Sequence, residues 1–393
     1  MAMMSSKLTD QPEVDMETKM LSASSNDIGS SSWMQPAVDA LRREEVVGFP
    51  TETVYGLGAL WRSSRALREV FRIKGRPQDN PLILHVSSEA MAWSLASVVP
   101  EAAVVLAKAF WPGPLTLILP ADSSIPPEVT AGLSTVGLRC PMHPLALQLI
   151  ELTGEPLAAP SANISGRPSP TRSEDVLEDL NGRIPYVIEG GASAVGLEST
   201  IVDLSHEGEA HLLRPGGVTV RDLDCALERA GLNIHVQEST LEYGQYNLAA
   251  VEIPRAPGMK YRHYAPRAPI HIFRELDAAV AAEELQDWLR KVWAETDVNS
   301  RIGLFVREDV WRIFAEGRYE KPESDQLVVE HFPADDLGRA AAHGLFAAFR
   351  HFDRQDCDMI GVSAMPEDGY GGAYMNRLAK AAGAAAAADR DEV

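Results

Sequence analysis

Leaving an apolar strand, PTETVYGLG at 50–58 offers the hydroxyls of Thr51, Thr53 and Tyr55, and its Gly56 and Gly58 lack a Cβ and let a ligand approach the backbone. It also reads as an ordinary strand-to-helix turn, because Gly56-x-Gly58 is an incomplete dinucleotide fingerprint. KGRPQDNPLILHV at 74–86 sets Lys74 and Arg76 at the end of a helix, with Asn80 and His85 close behind. Lys74 would pair well with the helix dipole alone, whereas Arg76, held between Gly and Pro, could fork onto phosphate oxygens. His85 sits in an apolar strand, where a satisfied core histidine is the commoner outcome. VGLR at 136–139 and LLRPGG at 212–217 each end an apolar strand in an arginine, Arg139 and Arg214. Ligands of open α/β sheets gather beyond strand ends, so the two guanidiniums could converge on a polyanion, although each could equally cap its strand. Ser161 and Asn163, in APSANISG at 159–166, suit a base, a ribose or an amino acid. Thr171 with Glu174 makes a capping box and could be structural. Ser199, in ESTIVD at 198–203, faces either the core rim or a ligand. Phosphate-binding P-loop, serine-hydrolase and zinc-protease signatures are absent, and no covalent nucleophile stands out.

These residues belong to a chain of 393 residues carrying 36 Lys and Arg against 56 Asp and Glu, a net charge of −20. At roughly 100 to 200 residues per domain, two or three domains with real cores are expected, and wholesale disorder and fibrous classes are excluded. So acidic a surface repels polyanions, so any nucleotide must be held by a local basic patch such as Lys74, Arg76, Arg139 and Arg214. Cys140, Cys225 and Cys357 are scattered, which indicates neither a zinc site nor a disulfide framework and fits a reducing compartment. No apolar run approaches a membrane span, and the first 30 residues lack signal-peptide features, so a cytoplasmic protein is expected.

Residues 1–32 read as a disordered tail. A helix from Pro36 and a strand over 46–49 then lead into the glycine-bearing loop, followed by a helix capped by Ser64 and stopped by Gly75, and a strand over 81–86. The same alternation continues through a helix over 101–110, strands over 115–119 and 136–139, a helix from Pro144 to Gly154, and strands over 157–159, 186–189, 199–204 and 211–213. One α/β domain over 33–235 is expected. Residues 236–268 are rich in Pro, Tyr and His and read as an ordered linker, and 269–385 as a smaller βαβ domain before a frayed tail at 386–393.

Taken in order, FPTETVYGLG, KGRPxxNPLILHV, FWPGPLTLIL, VGLR, APSANISGRPSPT, ESTIVDL and LLRPGG resemble the threonylcarbamoyl-AMP synthases with the YrdC-like fold. APGMKYRHYAP at 256–266, and GYGG at 369–372 before MNRL at 375–378, resemble the longer, two-domain branch of that family; Ala256 stands where Ser is expected. The resemblance implies a twisted open α/β sheet with a concave basic cavity, a linker folding over it, and a smaller Rossmann-like C-terminal βαβ domain. It implies synthesis of threonylcarbamoyl-AMP from L-threonine, bicarbonate and ATP with release of pyrophosphate, the first step of tRNA threonylcarbamoyladenosine modification. A partner transferase complex then loads the tRNA, with which a weak direct contact is left open.

Carried over residue by residue, L-threonine would be bound by Thr53, His85, Arg139, Ser161 and Ser199, with Arg139 on its carboxylate. ATP would be held by Arg76, Asn80, Thr135, Asn163, Thr171 and Arg214, with Lys74 near the phosphates and Tyr264 arriving from the linker. Lys74, Arg76 and Arg139 would carry the charge neutralisation that carbamate attack on the α-phosphorus needs. Mg²⁺ would be held by nucleotide and water rather than by a dedicated carboxylate cluster. Closure of the linker, with Tyr261 and Tyr264, would protect the unstable carbamate. Two alternatives remain: a carbamoyl-adenylate-forming domain of hydrogenase-maturation type, whose zinc-binding cysteine modules are missing here, and a double-stranded RNA or tRNA-binding module, which the net charge disfavours.

Overall fold

The structure, a computed structural model, describes residues 17–23, 31–238, 254–257, 263–296, 299–317, 326–334 and 338–383. The N-terminal unit runs β1 (Lys19–Leu21), α1 (Gln35–Arg42), β2 (Val47–Phe49), β3 (Gly56–Leu60), α2 (Ser64–Lys74), β4 (Ile83–His85), α3 (Glu89–Trp93), α4 (Glu101–Phe110) and β5 (Leu115–Pro120). It continues through α5 (Pro127–Thr130), β6 (Thr135–Arg139), α6 (Pro144–Thr153), β7 (Leu157–Ala158), α7 (Ser173–Leu180), β8 (Tyr186–Ile188), β9 (Thr200–Asp203), β10 (Ala210–Arg214), α8 (Val220–Arg229) and β11 (Val236–Glu238). Its strands form one mixed sheet in the order β1-β8-β2-β3-β7-β4-β6-β5-β9-β10-β11.

Alternation along the central strands gives this sheet two unlike faces. Leu117 and Leu119 of β5, Val136 and Leu138 of β6 and Val202 of β9 point into the main core, where Leu106 of α4 and Leu223 and Leu227 of α8 also lie. The opposite face carries Thr116, Ile118, Thr135, Gly137, Arg139, Ile83 and His85, and its apolar patch of Ile83, Ile118 and Ile201 is covered by Ala256. Ala256, where Ser is expected, is fully buried against these branched side chains.

Several elements differ from the sequence reading. Gly56 and Gly58, expected to break into a loop, lie in β3, antiparallel to β2 with Phe49 opposite Gly56 and Gly48 opposite Leu57. A Cβ on either would meet the Phe49 ring at 2.8 or 2.9 Å, so glycine here makes room for an aromatic ring. The N-cap of α2 is Ser63, whose hydroxyl accepts from Ala66 N, rather than Ser64; Gly75 ends the helix at φ 60° as expected. The anticipated box of Thr171 with Glu174 does not form: Asp175 supplies the carboxylate, accepting from Thr171 N and Arg172 N at 3.1 and 3.2 Å. Within the stretch expected to be disordered, β1 pairs in parallel with β8. It is anchored by the Thr18 hydroxyl, which donates to Ile184 O at 2.6 Å.

The C-terminal unit comprises β12 (Ile270–Phe273), α9 (Ala278–Glu295), β13 (Ile302–Arg307), α10 (Glu308–Glu316), β14 (Leu327–Phe332), α11 (Arg339–Arg354), β15 (Met359–Ser363) and α12 (Tyr370–Ala382). Its all-parallel sheet has the order β12-β15-β13-β14, so α10 and β14 extend the expected βαβ pattern by a further unit. The core on the α11 and α12 side of this sheet takes in Tyr264 of the connecting segment and continues into the first unit through Val54 and Leu197.

Candidate active site

The polar face of the large sheet opens into a cleft. It is lined by the 51–56 turn, the end of α2, β4, β6, the 159–169 loop, the entry to β9, the end of β10 and Pro257, His263 and Tyr264. Ten of the expected site residues converge here: Thr53, Lys74, Arg76, His85, Arg139, Ser161, Asn163, Ser199, Arg214 and Tyr264. Three do not line it. Asn80 is buried beside Arg76, whose Nε donates to its carbonyl at 3.4 Å. Thr171 is buried just before α7, its N donating to Asp175, and Thr135 shares the face of Arg139 but starts β6 and pairs with Pro120, about 13 Å away along the strand.

His85 and Arg139 are register partners on β4 and β6, which fixes them side by side at the cleft floor. Both are buried. Burial and the neighbouring Arg139 cation push the His85 imidazole down to about 3, so it is neutral at physiological pH, packed edge-on against Phe49 at 5.8 Å between ring centroids. Arg139 is not alone: its Nη2 lies 2.8 Å from Glu52 Oε1, and Glu52 Oε2 accepts from Met142 N at 3.0 Å. Glu52 escaped the sequence reading although it lies within the quoted turn, because one acidic residue between two threonines has no periodic signature. Thr51 folds that turn, its hydroxyl donating to Val54 O at 2.6 Å and standing 2.8 Å from the Thr53 hydroxyl.

Across the cleft, Lys74 at the end of α2 is fully engaged with the loop opposite, donating to Ser161 O and Asn163 O, each at 2.5 Å. Burial and the nearby Arg76 cation hold its ammonium well below the usual lysine range. Asn163 in turn donates to Ile164 O and Arg167 O and accepts from the Ser161 hydroxyl, so it shapes the loop that presents both residues. Arg76, which lines the cleft, is braced by Pro81 O at 2.9 Å.

On the far side, Arg214 donates to Ser199 O at 3.0 Å and to Ser199 Oγ at 3.1 Å, and that hydroxyl also meets Thr116 Oγ1 at 2.7 Å. Burial lowers Arg214 to about 10, still charged at neutral pH. Tyr264, at φ 69°, stacks on Phe346 of α11 at 5.1 Å, and burial raises its phenol. Tyr261 lies outside the described residues. Arg377 of α12, part of the MNRL stretch but given no role by the sequence, reaches Glu198 at the cleft wall, with Nε 2.9 Å from Oε2. Both carboxylates lining or backing the cleft, Glu52 and Glu198, are thus paired with arginine, and among the described residues no group of three or more His, Cys, Asp or Glu could hold a metal ion.

Residues 39–216 match the family described as "Telomere recombination", and residues 218–383 match "Threonylcarbamoyl-AMP synthase, C-terminal domain". The threonylcarbamoyl-AMP synthase of Pyrococcus abyssi is 41% identical over 88% of this chain and 93% of its own, and that of Bacillus subtilis 40% identical over 88% and 92%. A crystal structure of the P. abyssi Sua5 protein complexed with L-threonine superimposes with a TM-score of 0.78 at 38% identity, covering 93% of this chain and 97% of that one. Both units, in the same order and over nearly the whole length of such relatives, are shared, and the chain belongs to the threonylcarbamoyl-AMP synthase family.

Proposed function

We propose that this protein forms threonylcarbamoyl-AMP from L-threonine, bicarbonate and ATP, releasing pyrophosphate. The observation that carries the reading is the cleft itself: Arg139 beside neutral His85 on adjoining strands, faced by Lys74, Arg76 and Arg214, in a chain of net charge −20. Arg139, steadied by Glu52, takes the threonine carboxylate, leaving Thr53, Ser161, Ser199 and uncharged His85 for its hydroxyl and amine. Bicarbonate gives up its hydroxyl as its carbon–oxygen bond breaks, the amine bonds to that carbon, and the proton the amine loses joins the hydroxyl to leave as water; an oxygen of the resulting carbamate then attacks the α-phosphorus. The bond to the β-phosphate breaks and pyrophosphate leaves with its electrons. Arg76 and Arg214 neutralise charge on the phosphates, while Lys74 holds the 161–163 carbonyls that shape that half of the cleft. Asn163 shapes the nucleotide half through its loop, and Thr135, Asn80 and Thr171 act from beyond the cleft lining.

Mg²⁺ enters as part of the nucleotide substrate, held by phosphates and water, because the cleft carboxylates are occupied by arginines. Tyr264 closes over the cleft and protects the carbamate from water, so Tyr264→Ala should hydrolyse more ATP per adenylate formed; unchanged coupling would remove the lid role. The product passes to a transferase complex that modifies tRNA, and the protein works in the cytoplasm. No helix among the described residues is long and apolar enough to cross a membrane. The test is pyrophosphate release with and without L-threonine and bicarbonate, with the adenylate weighed by mass spectrometry. Dependence on both, and a threonylcarbamoyl-adenylate mass, supports the reading; release independent of threonine overturns it.

A further inference from the structure

The cleft wall contains a carboxylate that works against its task. Glu198 lines the cavity beside Ser199, at the entry to β9, and is almost fully buried. Burial opposes its charge, yet Arg377 and Arg214 together with the Ser169 hydroxyl bring its carboxyl below the ordinary glutamate range, so it stays ionised. An unbalanced anion at this point would repel a nucleotide polyphosphate through a medium that screens poorly. It would also compete for Arg214, the cation that closes this side of the site.

Arg377 prevents both. Its side chain has no solvent exposure, and it comes from α12 of the C-terminal unit. Its Nε donates to Glu198 Oε2 at 2.9 Å, and Nη1 donates to Pro215 O at 2.8 Å and to Asn376 Oδ1 at 3.0 Å. The Ser169 hydroxyl occupies the other carboxylate oxygen at 2.5 Å. Pro215 directly follows Arg214, and Glu198 directly precedes Ser199, so one guanidinium grips the two chain segments that carry these site residues. Gly216 packs so closely on this junction that a Cβ would lie 2.3 Å from Thr200 N, which leaves the two segments no slack.

We infer that Arg377 is a positioning residue for the nucleotide half of the site: it neutralises Glu198 and thereby keeps Arg214 on Ser199 and Pro257 at the cleft lining instead of on the carboxylate. The C-terminal unit thus takes part in substrate binding through a side chain that never touches substrate. The inference rests on reading the cleft as an ATP site.

The test is calorimetric titration of the full-length protein with ATP, alongside ATP-dependent pyrophosphate release. Arg377→Ala should weaken ATP binding about tenfold or more, the equivalent of about 1.4 kcal/mol, and raise the KM for ATP more than it lowers kcat. Adding Glu198→Gln to Arg377→Ala should recover most of the lost affinity, because the offending charge is gone. A purely architectural arginine would give no such recovery, so a double variant no better than Arg377→Ala overturns the inference, as does unchanged ATP affinity in Arg377→Ala. Should Arg377→Ala fail to fold, Glu198→Gln alone decides: ATP affinity equal to or tighter than that of the unsubstituted protein supports the inference, and a tenfold loss overturns it. An unsubstituted protein that binds no ATP would instead refute the nucleotide reading of the cleft, a result distinct from any of these.

Discussion

Glu52 and His85 show how burial assigns tasks to side chains that are unremarkable by type. Glu52 holds Arg139 from behind, so Glu52→Ala leaves a buried guanidinium unpaired and free to adopt other rotamers. The expected result is a rise of about tenfold or more in the KM for L-threonine, read from pyrophosphate release at saturating ATP. Glu52→Gln, which keeps a hydrogen-bond acceptor for Met142 N, should lose less. His85 gives a pH signature. Its imidazole titrates near 6.5 when unfolded and at about 3 in the fold, so on acidification the unfolded chain takes up the proton first. The stability this neutral group supports is complete above about pH 6.5 and drains away as pH falls toward 3. Between pH 7 and pH 5 the protein should therefore lose about 2 kcal/mol more stability than His85→Gln, measured by urea unfolding at each pH. Arg139 was legible in the sequence because a strand ending in arginine before a break is a recognisable pattern. Glu52 was not, since its partner is 87 positions away and only the pairing of distant segments reveals it.

Elements were most legible where one local rule governed them. The helix α2 could be placed from its apolar spacing and its terminal Gly75, and β6 from its short apolar run. Reading failed at β3, where glycines that spell a loop in isolation lie in a strand interior because Phe49, on the neighbouring strand, fills the space above them. Gly58→Ala should consequently cost about 1–3 kcal/mol, seen as a lower Tm, since the new methyl would press on an aromatic ring fixed between β3 and His85. Adding Phe49→Leu should return part of that loss. Thr171 illustrates the converse: the capping pattern was real, but Asp175 rather than Glu174 had the geometry to accept, one residue later. Cap identity depends on where the backbone turns, and the preceding proline-rich loop, tied to α7 through Ile164 N and Asp179, sets that.

At the scale of the whole molecule, the two units are joined by buried charge as well as by apolar contact. Arg350 of α11 has no exposure and pairs with equally buried Asp179 at 2.9 Å, and Asp179 also accepts from Ile164 N in the loop that presents Ser161 and Asn163. Removing one member of such a pair strands the other, so Asp179→Ala should destabilise by about 3–5 kcal/mol and split urea unfolding into two steps, where the intact protein should show one. Asp179→Ala with Arg350→Met should unfold later than Asp179→Ala alone. None of this was legible in the sequence, because Asp179 and Arg350 lie 171 positions apart on helices whose amphipathic patterns announce only apolar faces. The outermost strand of the large sheet has a consequence of another kind. β1 aligns Lys19, Met20 and Leu21 with Tyr186, Val187 and Ile188, and occupies the main-chain donors and acceptors along that side of β8. Stripped of residues 1–23, β8 would present a bare row of amides and carbonyls on which a second molecule could template. Such a shortened chain should scatter more light as its concentration rises while keeping normal turnover when dilute, which would make this short peptide a guard against self-association rather than a part of the enzyme.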